Sequence, residues 1–372
     1  MNFVLSMMAI VFNGILDKVA VSLNTTVANS GLLNTMYSYG AALGVPAMLI
    51  VFRRIERIKM LKIMLFITIL MTMALVLTQK FGQLLLIRLV MGISANSYGV
   101  LAISTVVALS AKERLGRSMA FLIAGNSLAL VIGVPLTRAL SSILDWRDIF
   151  WILNIMMLSS LICFMICLPK GKHESTDLNL KNEWKYLKDR KIFSVILYSL
   201  VMFVGSGAFY TYVTPYLLHL FPSTEATMSF ILALLGIASF MGNLIGGHVS
   251  DRIGYAKSML LGAVLQTASM LLILVFQTVA WLSVLFSVLW LMSLWFTGLQ
   301  LNTGIAQETQ NKSSFIISMN SSSIQLGSAL GSSLAAIVIS FGEIQNIVVI
   351  ALLTSLGIVL IQWFSMKRYP TS

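Results

Sequence analysis

The chain alternates along its whole length between stretches of about 20 residues almost free of charge and short breaks that hold most of its lysines and arginines. A helix rises 1.5 Å per residue, so about 20 apolar residues cross the roughly 30 Å hydrocarbon core of a bilayer. In lipid every backbone polar group must be satisfied within the protein, which makes each such run a helix. The runs lie at residues 3–23, 32–52, 60–79, 83–109, 118–137, 149–168, 192–218, 227–247, 257–276, 280–303, 314–340 and 345–365. The expected fold is an all-α integral membrane protein with twelve transmembrane helices. Composition excludes the alternatives: 58% of residues are hydrophobic and 10% charged, against about 25% charged in a soluble domain.

The basic residues sort by break. Arg53, Arg54, Arg57, Lys59 and Lys62 follow the second span, Lys112, Arg114 and Arg117 the fourth, and the series from Lys170 to Lys191 the sixth. Arg252, Lys257, Lys312, Lys367 and Arg368 fall on the same side. The other side holds Lys18, Lys80, Arg88, Arg138 and Arg147, twenty against five. Loops rich in Lys and Arg stay in the cytoplasm, so both termini are expected there, in a cell's inner (cytoplasmic) membrane. The net charge of +12 is then a topological signal facing anionic lipid headgroups, and no nucleic-acid partner is needed to explain it. No charged leader precedes the first span, so no cleavable signal peptide is expected.

The longest polar stretch divides the spans six and six. This predicts an N-terminal lobe at 1–168, a basic cytoplasmic linker at 169–191 and a C-terminal lobe at 192–372. Trp184 and Tyr186 among lysines suggest a short amphipathic helix on the membrane surface. Cys163 and Cys167 share a helix face and read as packing residues. The sequence holds no HExxH, no glycine-framed serine, no paired membrane aspartates and no P-loop lysine. It therefore does not read as an intramembrane enzyme or an ATP-driven pump, and no cofactor or metal is implied.

Several motifs carry more than hydrophobicity. Gly246-Gly-His-Val-Ser-Asp251-Arg252-Ile-Gly254, after the eighth span, resembles the G-x-x-x-D-R-x-G loop signature of the major facilitator superfamily. The glycines permit a tight turn, and Asp251 can complement the positive end of a nearby helix and latch one conformation. The matching loop of the first half reads Val51-Phe-Arg53-Arg54, with arginine at the family's aspartate position. Arg88-Leu-Val-Met-Gly92 resembles the R-x-x-x-G element of the fourth helix. Gly125, Gly133 and Pro135 in the fifth span resemble the glycine and proline motif of the drug:proton antiporter branch, with Thr137-Arg138 where relatives commonly carry glycine. Trp146-Arg147-Asp148-Ile-Phe150 resembles the W-R-x-x-F segment opening the sixth helix. The layout is similar to bacterial sugar, nucleoside and drug exporters.

The resemblance implies two six-helix lobes, alternating access, a small-molecule substrate, a single chain in lipid, and export by proton antiport, with the proton gradient as energy source. The alternatives are an uncoupled facilitator or importer, and a non-transporting sensor or assembly protein. Proton-coupled relatives hold a carboxylate in the membrane, but none of the thirteen acids here falls mid-span. The candidate is Asp17, near the outer end of the first span. Arg88 sits about 7–8 Å inside the outer end of the fourth. A similar depth suggests an Asp17–Arg88 pair as an outer gate. Family helices 1, 4, 7 and 10 surround the cavity. Asn13, Asn96, Tyr98, Tyr210, Tyr212, Trp295, Gln300 and Asn302 therefore form the candidate substrate set, suited to a neutral or weakly polar ligand.

Overall fold

The computed structural model describes residues 1–51, 56–110, 114–167, 189–308 and 314–368. Arg53, Arg54, Lys112, Lys312 and the linker residues through Lys188, with Trp184 and Tyr186, lie outside the described residues.

Helices dominate the described residues. The first six spans are α1 (Asn2–Ser22), α2 (Val27–Val51), α3 (Arg57–Leu77), α4 (Phe81–Leu109), α5a (Leu115–Leu128) with α5b (Val134–Leu140), and α6 (Trp146–Cys167). The second six are α7a (Arg190–Tyr210) with α7b (Val213–Leu220), α8 (Met228–Ile253), α9 (Tyr255–Val275), α10 (Ala280–Glu308), α11 (Ser314–Phe341) and α12 (Ile347–Arg368). Eleven stretches among the described residues are long and apolar enough to cross a membrane. The twelfth, α2, is 25 residues long, and its polar Ser30, Asn34 and Thr35 are buried and so spared from lipid.

Three elements depart from the sequence expectation. α2 begins at Val27 rather than 32, because the Thr26 hydroxyl accepts a bond from the Asn29 amide at 3.1 Å and caps the helix. The fifth span contains a wide π-turn at Ala129–Gly133. Pro135 follows it in the first turn of α5b, where its missing N–H interrupts least. The seventh span breaks at Thr211 and Tyr212. Cys163 and Cys167, expected to be packing residues, are exposed near the end of α6.

The chain divides into two compact units, Met1–Asp177 and Leu178–Ser372. Each unit repeats one set of pairings. In the first, α1 packs on α5, α2 on α4 and α3 on α6. In the second, α7 packs on α11, α8 on α10 and α9 on α12. Glycines set the closest approaches. A Cβ on Gly92 would meet the Tyr37 carbonyl oxygen, and one on Gly40 the Leu89 carbonyl. In the second unit Gly242 faces the Met292 carbonyl and Gly331 that of Val204. Backbone contact of this kind is how helices pack where lipid supplies no hydrophobic driving force.

Candidate functional site

Arg88 on α4 is wholly buried. Its Nε donates to the Leu33 carbonyl at 3.0 Å, one Nη to the Met8 carbonyl at 2.7 Å and the other to Asn34 Oδ1 at 3.2 Å. Asn34 Nδ2 donates in turn to Asn13 Oδ1 at 2.5 Å. The guanidinium carbon lies 4.9 Å from the centre of the Phe12 ring and 4.5 Å from that of Tyr37. An intramembrane arginine needs acceptors or a partner. Here the planar fork ties α4 to carbonyls of α1 and α2, and two ring faces supply further attraction. Among the described residues no carboxylate pairs with it.

The expected Asp17–Arg88 pair is therefore replaced. Asp17 binds Arg138 of α5b, with one Nη 2.7 Å and 2.9 Å from the two carboxylate oxygens. The same nitrogen is 3.3 Å from the Gly14 carbonyl, beside Ile15, where α1 leaves helical dihedrals. The Arg138 side chain is 2% exposed and that of Asp17 24%, so the acid keeps contact with its surroundings while the base does not. Counting residues along straight helices placed Asp17 level with Arg88. The helix–helix pairing puts Arg138 there instead, and the signal available was its departure from the family glycine. Lys18 turns to the Ser141 carbonyl at 3.1 Å.

The glycine and proline motif lies on the same interface. A Cβ on Gly125 would meet the Phe3 amide nitrogen, and one on Gly133 the Met7 sulfur. Ser6 donates to Asn126 Oδ1 at 2.8 Å. α5 thus lies against α1 along its length, joined near one end by Ser6–Asn126 and near the other by Asp17–Arg138.

In the second unit the candidate residues are used unequally. Gln300 is buried and donates to the Gly246 carbonyl at 2.8 Å, while its Oε1 has no partner among the described residues. Tyr212 is buried with its hydroxyl 3.5 Å from the Ser332 carbonyl. Tyr210 and Trp295 are half-buried. Asn302 is exposed and accepts from Asn320 Nδ2 at 3.3 Å, whose own Oδ1 accepts from the Ser199 hydroxyl at 2.6 Å. In the first unit Asn96 donates to the Ala41 carbonyl at 3.1 Å. Tyr98 is buried with its ring parallel to Phe164, 6.5 Å away. Asn13 and Gln300 thus hold helices together, whereas Tyr210, Trp295 and Asn302 keep accessible surface.

Asp251 and Arg252 lie in the last turn of α8, exposed. Arg252 complements the negative end of that helix, and Asp251 has no partner among the described residues. Gly254 joins α8 to α9 as a single residue at φ +82°, ψ 158°, backbone that is essentially reserved for glycine.

The sequence pattern of the Major Facilitator Superfamily matches residues 1–307 and 215–372. The chain belongs to the major facilitator superfamily. It is 25% identical over 363 residues to the Uncharacterized MFS-type transporter YbcL of Bacillus subtilis, covering 95% of this chain and 93% of that protein. It is also 25% identical over 346 residues to a protein of Helicobacter pylori named Probable sugar efflux transporter, covering 91% and 88%. In structure it resembles a bacterial homologue of the human lysosomal transporter Spinster in an inward-facing, occupied conformation. That match has a TM-score of 0.74 at 13% identity and covers 99% of this chain and 95% of the other.

As a facilitator-superfamily member the chain is a multi-pass membrane transporter and not an enzyme. Arg138 as the partner of Asp17 and Asn34 within the Arg88 network are not among the residues expected from the sequence. Asn34 had no visible signal, since a single amide in an apolar span resembles many others.

Proposed function

We propose that the protein exports a small, uncharged organic molecule, sugar- or nucleoside-like, by alternating access with proton antiport. It acts as a single chain in the cytoplasmic membrane with both termini inside. The observation that carries this reading is the charge inventory of the first unit. Arg88 is wholly buried, each of its three nitrogens bonds a protein acceptor and two rings cover the guanidinium, which keeps it from a charged substrate. Asp17 is a carboxylate five residues inside the end of its helix, partly exposed and bound to a buried base. The other described acids lie in connections or in the first or last turn of a helix.

Asp17 and Arg138 are the coupling pair in this reading. A proton on Asp17 removes one charge of the pair and loosens α1 from α5b, and Gly125, Gly133 and Pro135 let α5 respond. Arg88 positions α4 against α1 and α2. Asp251, Arg252 and Gly254 form the turn that moves with α8 and α9. In the second unit Tyr210, Trp295 and Asn302 keep accessible surface and supply aromatic faces and an amide for a neutral ligand; Tyr212 and Gln300 in that unit, and Asn13, Asn96 and Tyr98 in the first, hold the helices in place. The sugar-efflux name of the Helicobacter pylori relative supports the substrate class.

The test is proteoliposomes with a pH-sensitive dye inside, an imposed proton gradient, and a panel of L-arabinose, D-xylose, uridine and adenine. Proton flux driven by one compound in the wild type and lost in Asp17→Asn, with that protein still in the membrane, is the expected result. Tracer equilibration without proton flux would make the protein a facilitator, the reading that the outer rather than central position of Asp17 favours. Full coupled flux in Asp17→Asn would remove the pair from the mechanism.

A further inference from the structure

The start of α7a and the end of α12 frame a groove of about 470 Å³. Its wall includes Arg190, Phe193 and Ser194 from α7a and Phe364, Ser365 and Arg368 from α12. The two helices run antiparallel across one unit, so each contributes a mirror-image series. From the helix end inward, α7a gives arginine, then phenylalanine and serine three and four residues on. From its own end inward, α12 gives arginine, then serine and phenylalanine three and four residues back. Residues three and four apart share a helix face. Each face therefore carries a guanidinium outermost, with a hydroxyl and an aromatic ring about one turn deeper.

The electrostatics of this end are positive. Arg190, Lys191, Lys367 and Arg368 gather within it, while the opposed dipole ends of α7a and α12 offset each other. The acids nearby are engaged. Asp189 accepts from the Lys191 amide at 2.8 Å. Glu308 accepts from the Tyr255 hydroxyl at 2.6 Å and lies 3.9 Å from the Lys191 ammonium. Lys367 rests over the Trp363 ring at 5.3 Å. Arg190 and Arg368 form no ion pair among the described residues and are exposed. Phe193 and Phe364 stand 56% and 59% exposed, about one helical turn inward from the arginines.

We infer that this groove is a binding site for one anionic glycerophospholipid of the basic-loop leaflet. The order of groups from water inward matches the order in the lipid: phosphate against two guanidinium forks, glycerol and ester oxygens against two serine hydroxyls, and acyl chain against two rings. Bound there, the lipid bridges α7a and α12, and anionic lipid on that leaflet is the natural counter-charge.

The experiment uses the full chain, purified and delipidated in a neutral detergent, with thermal unfolding followed on addition of dioleoyl-phosphatidylglycerol, dioleoyl-phosphatidylcholine or sn-glycerol 1-phosphate. A ligand that binds only the folded state raises the midpoint. We expect phosphatidylglycerol to raise it by about 3 °C or more, and the other two to leave it unchanged. The double variant Arg190→Gln/Arg368→Gln should fold, since both residues are exposed helix ends, and should lose the shift. Lys59→Gln/Lys62→Gln, equal in charge and elsewhere on the chain, should keep it. An equal shift with phosphatidylcholine or with glycerol phosphate would overturn the lipid assignment. So would a shift retained by the arginine double variant, or lost to the same extent by the lysine one.

Discussion

Replacing Arg88 by lysine should destabilise the protein more than replacing it by methionine. The guanidinium meets three acceptors, Met8 O on α1 and Leu33 O and Asn34 Oδ1 on α2, at 2.7–3.2 Å. Hydrogen bonds to charged groups contribute about 1.5–3 kcal/mol each, and a desolvated cation over an aromatic face about 2 kcal/mol. Against these stands the burial of one ion, several kcal/mol. Lysine keeps that burial cost but offers a compact ammonium in place of a fork. Losing two of the three bonds amounts to about 3–6 kcal/mol. Methionine removes the ion altogether. The two carbonyls retain their helical bonds, and the orphaned Asn34 oxygen costs about 1–3 kcal/mol. At about 2–4 °C per kcal/mol for a unit of this size, Arg88→Met should unfold a few degrees below wild type and Arg88→Lys well below that. Thermal unfolding of the three purified proteins decides it. A lysine variant as stable as methionine or better would refute the reasoning, because charge alone, and not the fork, would then hold the three helices.

Other substitutions test other parts. Gly92→Val should reduce folded yield strongly in fluorescence-detected size exclusion, since its Cβ would collide with the Tyr37 carbonyl and no side-chain motion relieves a backbone clash. Gly254→Ala and Gly254→Asn should both lose about 1–3 kcal/mol in the same thermal assay. Asparagine gives no rescue, because ψ 158° lies outside the left-handed region it tolerates; a rescue would show that the turn relaxes. Asn320→Leu should cost about 0.5–1.5 kcal/mol, the worth of one hydrogen bond, because the Ser199 hydroxyl loses its Asn320 acceptor but keeps the Val195 carbonyl at 3.0 Å. An unchanged midpoint there would mean that water or a neighbour replaces the amide.

The spans were legible because lipid forbids unpaired backbone and charge, so hydropathy alone places helices. The close approaches of Gly92 to Tyr37 and of Gly133 to Met7 fall on glycines of these motifs. The partners of the charged residues were not legible. Arg88 binds two backbone carbonyls, and every residue has one, so no residue type announces them. Asp17 was assigned by depth along a straight helix, but depth carries no rotational information. Only the packing of α1 on α5 shows that Arg138 faces it. The accessible set Tyr210, Trp295 and Asn302 could be named from the helices they occupy. Their burial could not, because it depends on neighbours far along the chain.

The wide turn in the fifth span has a consequence for how that helix tolerates length change. Gly125 and Gly133 both face α1, against residues 3 and 7, yet they are eight positions apart. In an unbroken α-helix eight steps of about 100° leave two residues about 80° out of line. The π-turn at Ala129–Gly133 takes up one residue without advancing the spiral by its share. The effective separation becomes seven steps, about 20° out of line. This helix therefore stores one residue as slack. Deleting a single residue within Ala129–Ile132 would draw the slack in and keep the glycines, and Arg138 beyond them, aimed at α1. The same deletion between Gly133 and Arg138, beyond the turn, would swing Arg138 by about 100° away from its partner.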